Sequence, residues 1–149
     1  MGIKRIGRHL LHHPWQLKRI FTPAVLARIE QAIKNGERTH GGQLRFVVEG
    51  ALDLFSQLRI WDTAHNNGVL IYLLLADHDF EIVADRGIDA RVGHAGWEKI
   101  CVEMEAQFRA GNFEGGVIKG IEAVSRELAT HFPRSGGGPN ELPDAPVVM

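Results

Sequence analysis

NNGVLIYLLLADHDFEIVADRG, residues Asn66 to Gly87, is the stretch whose reading decides the fold. An apolar run from Val69 to Ala76 is followed by Asp77-His78-Asp79 and then by a second apolar run from Phe80 to Ala84. Runs this short, bounded by Gly, Asn and Asp, read as strands rather than helices. The join is tight, so the two strands pair antiparallel as a hairpin. That geometry carries Asn66-Asn67-Gly68, ahead of the first strand, to the side of Asp85-Arg86-Gly87, behind the second.

Upstream, Leu44 to Val48 makes another short strand, broken by Gly50. Between it and the Val69 strand, Ala51, Leu52, Phe55 and Leu58 mark one face of a helix. Strand, helix, strand is a βαβ unit, whose strands run parallel with a right-handed crossover. Adding the antiparallel Phe80 strand makes the sheet mixed. Before this unit, Thr22-Pro23 opens a helix with a hydroxyl cap and proline at the first helical position. Val25, Leu26, Ile29 and Ile33 form its apolar stripe, and Asn35-Gly36 ends it.

Downstream of Gly87 the period returns to helical. Trp97, Ile100, Cys101, Met104 and Phe108 form one stripe; Phe113, Val117, Ile121, Val124 and Leu128 form the next. Only Gly111-Asn112 separates them, so the two helices are neighbours. Gly115, Gly116 and Gly120 follow no strand and are not a nucleotide loop; they allow the last helix to pack closely. The elements sum to an α/β fold, a three-layer α/β/α sandwich around a small mixed sheet. It occupies residues 22–133, between a basic amphipathic arm (1–21) and a Gly/Pro-rich, flexible tail (134–149).

Composition sets the outer bounds. The chain has 149 residues, 44% hydrophobic and 23% charged, which is ordinary globular usage with a sizeable core. A formal net charge of −1 argues against a nucleic-acid partner. Cys101 is the sole cysteine, which excludes an intrachain disulfide scaffold. No uninterrupted apolar stretch follows the basic start, so no signal peptide is expected and a cytoplasmic location follows. The arm itself carries Lys4, Arg5, Arg8, Lys18 and Arg19, with Ile3, Ile6 and Leu10 at helical spacing. It reads as a helical segment, either packed on the domain or resting on an anionic membrane surface.

The topology places the chemistry. Parallel strands starting at Leu44 and Val69 put the Thr39-His40-Gly41-Gly42 loop and Asn66-Asn67-Gly68 on one edge, and the hairpin adds Asp85-Arg86-Gly87. His40, Asp62, Asn66, Asn67, Asp85 and Arg86 converge there. Carboxylates and amide oxygens suit a hard cation such as Ca²⁺ or Mg²⁺, and Arg86 is a bidentate clamp for phosphate. The same residue types also serve turns and helix caps.

THGGQLRFVVE, the helix ending in LRIWDT, NNGVLIYLLLADHDFEIVADRGI and the two terminal helices together resemble the TPM-domain family. Its members include thylakoid-lumen phosphatase-like and photosystem-repair proteins and many bacterial relatives. The resemblance spans roughly Thr22 to Phe132 and is most specific in NNGVLIYLLLAD and EIVADRG. It implies the same sandwich and a divalent-metal-dependent acid phosphatase activity. The family's Gly-rich acidic stretch corresponds here to GIDARVGHAGW, which offers Asp89 but no aspartate just before Trp97.

Two functions follow as expectations. One is a phosphomonoesterase with Asp85 and Arg86 catalytic, His40, Asn66 and Asn67 binding ligand, and Asp62, Asp85 and Asp89 holding Ca or Mg. The other is a non-catalytic module that meets a protein partner or an anionic membrane surface through residues 2–20, peripheral to the membrane.

Overall fold

The structure is a computed structural model that describes residues 3–9, 21–49, 68–74, 79–133 and 147–148. In chain order these form β1 (Ile3–His9), α1 (Pro23–Glu37), β2 (Gln43–Glu49), β3 (Gly68–Leu74), β4 (Asp79–Asp85), α2 (Arg86–Arg109), α3 (Phe113–His131) and β5 (Val147–Val148). The strands make one sheet in the order β1-β4-β3-β2-β5.

β2 and β3 run parallel, Leu44 opposite Val69, as the βαβ reading requires. β3 and β4 form the expected antiparallel hairpin, Leu74 opposite Asp79 and Val69 opposite Ala84. The crossover helix expected around Ala51 to Leu58 lies outside the described residues.

Two additions enlarge the sheet. Ile3–His9, expected to be helical, is a strand instead, paired antiparallel with β4 along its length. A spacing of three puts Ile3 and Ile6 on opposite faces of a strand, so only Ile6 belongs to the core row. Ile6 lies opposite Ile82 and packs against the core, so pairing with β4 overrides the local period. At the other border Val147–Val148, within the expected tail, pairs parallel with β2.

The helices form where their stripes predict. Thr22 caps α1, its Oγ1 accepting from the Val25 N–H at 3.2 Å, with Pro23 in the first turn. Asn112 caps α3 through its Oδ1, which accepts from the Gly115 N–H at 3.0 Å. All three described helices lie on one face of the sheet. Their stripes (Val25, Ile29 and Ile33; Trp97 to Phe108; Phe113 to Leu128) share one core with Leu44, Phe46, Val48, Val69, Ile71, Leu73, Phe80, Ile82 and Ala84. Each large side chain buried there is worth about 1.5–3 kcal/mol relative to exposure. Phe80 meets Phe108 edge to face, ring centroids 5.1 Å apart, and Phe108 stacks on Phe113 at 5.7 Å. Such pairs add about 0.5–1.5 kcal/mol each.

Close approach of α2 and α3 depends on glycine. A Cβ on Gly116 would fall 2.5 Å from Phe108 Cε1 and 3.2 Å from the Met104 carbonyl oxygen. Gly116 and Gly120, read from the sequence as packing residues, are used in that way, whereas Gly115 faces the capping Asn112 side chain.

The second face of the sheet is buried too. Val47, Leu70, Tyr72 and Val83 are at most 3% exposed, as a sandwich with layers on both faces requires. No helix among the described residues is long and apolar enough to cross a membrane.

Candidate functional site

Strand directions set which ends meet. Gln43 opens β2 opposite Gly68, which opens β3. β4 runs the other way and delivers Asp85 to the same edge, where Ile3 of β1 lies opposite it.

Asp85 is the junction of this edge. It is the last residue of β4 and the cap position of α2, yet its side chain makes no capping bond to that helix. Its Oδ2 instead accepts from the Gly68 N–H at 3.0 Å. The carboxylate therefore ties the start of β3 to the end of β4, where the ladder bonds run out. At 3% exposure it is almost wholly buried. The carboxylate sits beside the positive end of the α2 dipole.

Arg86 begins α2 and is exposed. One turn on, Asp89 lies in the first turn of the same helix, and its Oδ1 accepts from the Trp97 indole N–H at 3.0 Å. Between them α2 is broken at Gly93, whose φ of 74° and ψ of 169° are not helical. The Asp89–Trp97 bond spans this break. It anchors a fully buried ring and supplies the partner a buried indole N–H needs.

His40 reaches the edge by its backbone but serves the helical side. It is 1% exposed, bridges antiparallel to Pro133, and its Nδ1 accepts from the Gly42 N–H at 3.2 Å. With Nδ1 an acceptor, the ring is the neutral Nε2–H tautomer. Its Nε2 lies near the C-terminal end of α1, 3.7 Å from where a Cβ on Gly36 would stand. Asp62, Asn66 and Asn67 lie outside the described residues.

Among the residues read from the sequence, the structure thus unites Asp85, Arg86 and Asp89 at one helix start, and it buries His40 beside the C-terminal end of α1. A divalent ion such as Ca²⁺ needs six or more oxygen ligands. No group of three His, Cys, Asp or Glu suited to a metal occurs among the described residues. Asp85 and Asp89 each commit one oxygen to a protein N–H. The described residues alone do not complete a divalent set.

One residue escaped the sequence reading. Arg45 is the third residue of β2 and stands opposite Leu70 of β3. By strand alternation it shares the second face with Val47, Leu70, Val83 and Asp85. Its Nε is buried and makes no hydrogen bond, and no carboxylate among the described residues pairs with it. Burial pushes the guanidinium below its ordinary value. The signal was available: an arginine inside QLRFVVE interrupts a strand buried on both faces.

Away from this edge, a groove of about 480 Å³ lies between α1 and α3, lined by Arg28, Gln31, Asn35, Ile118, Glu122 and Arg126 among others. None of the sequence-derived site residues lines it.

A mixed sheet built from a βαβ pair and a hairpin, backed by two sequential helices, with an Asp-Arg-Gly corner at the strand end, defines a class. The sequence matches the model of the TPM domain over residues 16–127, and the chain belongs to the TPM-domain family. It is similar in structure to the BA42 protein of the psychrophilic bacterium Bizionia argentinensis, determined by NMR. The TM-score is 0.79 at 29% identity, covering 90% of this chain and 99% of that one. None of the curated proteins matches the chain.

Proposed function

We propose that the Asp85 edge binds a phosphate-bearing ligand together with a divalent cation, Ca²⁺ or Mg²⁺, and that the reaction is phosphomonoester hydrolysis. The observation that carries this reading is the corner itself: a buried carboxylate at the end of β4, followed at once by an exposed arginine and one turn later by a second carboxylate. Asp85 and Asp89 provide hard oxygen donors, with Asp62 as their partner in the reading from sequence. Arg86 offers two parallel N–H donors to phosphate oxygens. Asn66 and Asn67 immediately precede Gly68, whose N–H Asp85 holds, and they complete the ligand-binding set of this reading.

The test is turnover of p-nitrophenyl phosphate by the whole chain with Mg²⁺ or Ca²⁺. Activity should fall by at least 100-fold in Asp85→Asn, which keeps an acceptor for Gly68, and in excess chelator. Activity unchanged by either treatment would remove the edge from the reaction.

The second reading is a non-catalytic module using residues 2–20 toward a protein partner or an anionic membrane surface. Its support is that β1, which carries Lys4, Arg5 and Arg8, is the border strand of the sheet. Flotation with vesicles containing anionic lipid, compared with neutral vesicles, decides it; equal recovery in both excludes the membrane arm.

A further inference from the structure

We propose that Arg45 is a second anion-recognising cation of this protein besides Arg86, and that a phosphate-type oxyanion binds it on the second face of the sheet, beside the Asp85 edge. The proposal deepens the reading of that edge as a phosphate site and rests on it, but binding at Arg45 is separable from hydrolysis.

The argument starts from an imbalance. A guanidinium drawn out of water loses hydration that must be replaced by hydrogen bonds or an opposite charge. Two solvent-exposed arginines on the helical face have carboxylate partners even without burial: Arg28 donates through Nη2 to Glu114 Oε1 at 3.0 Å, and Arg109 pairs with Glu105 at 3.1 Å. Both are far more exposed than Arg45, at 65% and 56% of the side chain for Arg109 and Arg28. Arg45 is partly buried, its Nε has no water contact and no hydrogen bond, and its neighbours along and across the sheet, Val47 and Leu70, are fully buried and apolar. Among the described residues no group pairs with its charge.

Position makes the imbalance informative. Arg45 stands two residues in from the Gln43–Gly68 border, roughly 7 Å along the strand. Asp85 holds the Gly68 N–H at that border. β2 and β4 flank β3, and Asp85 lies two residues beyond the Arg45–Leu70–Val83 row, so Asp85 and Arg45 are roughly 12 Å apart on this face. Gln43, 6% exposed and on the same face two residues before Arg45, is a further polar group of the same row of β2. One face thus carries a carboxylate suited to a cation and a guanidinium suited to an oxyanion. Arginine is matched to this task because its planar fork donates two parallel bonds to phosphate oxygens.

The experiment follows the Arg45 side-chain Nε–Hε resonance by NMR while inorganic phosphate, and separately phenyl phosphate, is titrated into the full chain. Thermal unfolding with and without each anion is recorded in parallel. Arg45→Met replaces the cation with an apolar chain of similar length and is expected to fold with a midpoint no lower than wild type. The expected result is a saturable shift of the Arg45 signal and a phosphate-induced rise in midpoint that disappears in Arg45→Met and returns in part in Arg45→Lys. A larger response to phenyl phosphate assigns the site to esters, and an equal response assigns it to free phosphate. An unmoved Arg45 signal, or an equal phosphate-induced rise in Arg45→Met, overturns the proposal. Binding at Arg45 in a protein that does not hydrolyse p-nitrophenyl phosphate would remove the hydrolytic reading and leave this one standing.

Discussion

The carboxylate of Asp89 and the indole of Trp97 are joined at 3.0 Å across the break in α2 at Gly93. The bond fixes the angle between the short first segment of the helix and the long second one. It also explains how a fully buried tryptophan N–H is satisfied where the helix cannot help it.

Removing that acceptor should be costly. Asp89→Ala leaves the Trp97 N–H buried without a partner, a loss of about 1–3 kcal/mol. Asp89→Asn keeps an acceptor and should recover most of it. Urea unfolding followed by tryptophan fluorescence measures both, and equal stability of Asp89→Ala and wild type would show that the bond carries nothing.

Gly93 is the second half of the same device. A Cβ there would meet nothing within 4 Å, so sterics with neighbours are irrelevant. The backbone conformation, φ 74° and ψ 169°, is nearly exclusive to glycine. Gly93→Ala should destabilise by about 1–3 kcal/mol, read as a lower urea midpoint with an unchanged slope.

Gly116→Ala should destabilise for the opposite reason. Its backbone is helical, where alanine is favoured, but the new methyl would collide with Phe108 and with backbone at Met104. Overpacking of this kind costs about 1–3 kcal/mol. Thermal unfolding of the variant checks it, and a gain in stability would mean that α2 and α3 separate freely.

The Arg28–Glu114 pair makes a pH prediction. The hydrogen bond from Arg28 holds the Glu114 carboxyl below its ordinary value of 4.5; burial opposes this, and the charge of Arg28 assists to a lesser degree. A depressed folded value stabilises the protein above the unfolded value, and the contribution is lost as pH falls through the folded one. Glu114→Gln should therefore be slightly less stable than wild type at pH 7. The gap should shrink below about pH 4.5 and also in high salt, because the pair is exposed. Unfolding midpoints from pH 3 to pH 7 at two ionic strengths test this.

Much of the architecture was readable because local and global preferences agree. The hairpin from Gly68 to Asp85 has short apolar runs and turn residues that permit little else. The stripes Trp97 to Phe108 and Phe113 to Leu128 are buried residue for residue as the 3.6 period demands. Ile3–His9 was misread because a border strand shows the core only one face, and a lone Ile6 between basic residues carries no period of its own. Its conformation comes from β4, more than seventy residues away. At the edge, the meeting of Gly68 with Asp85 follows from topology, whereas the Asp89–Trp97 bond needs the break at Gly93, which no pattern announces. His40 was placed on the right loop, but ring direction depends on α1 and α3 packing. Arg45 stands apart from the strand ends where glycine and aspartate gather; its only mark in the sequence is a charge inside an apolar strand.

The central claim is that Asp85 does more than clasp Gly68. Calorimetric titration of Mg²⁺ and of Ca²⁺ into wild type and Asp85→Asn, each with phosphate present, tests it most directly. Asparagine retains an acceptor for the Gly68 N–H while removing the charge. The account predicts saturable cation binding to the wild type, weakened at least tenfold in Asp85→Asn with little change in its unfolding midpoint. Equal binding by the two proteins, or none by wild type, would contradict it.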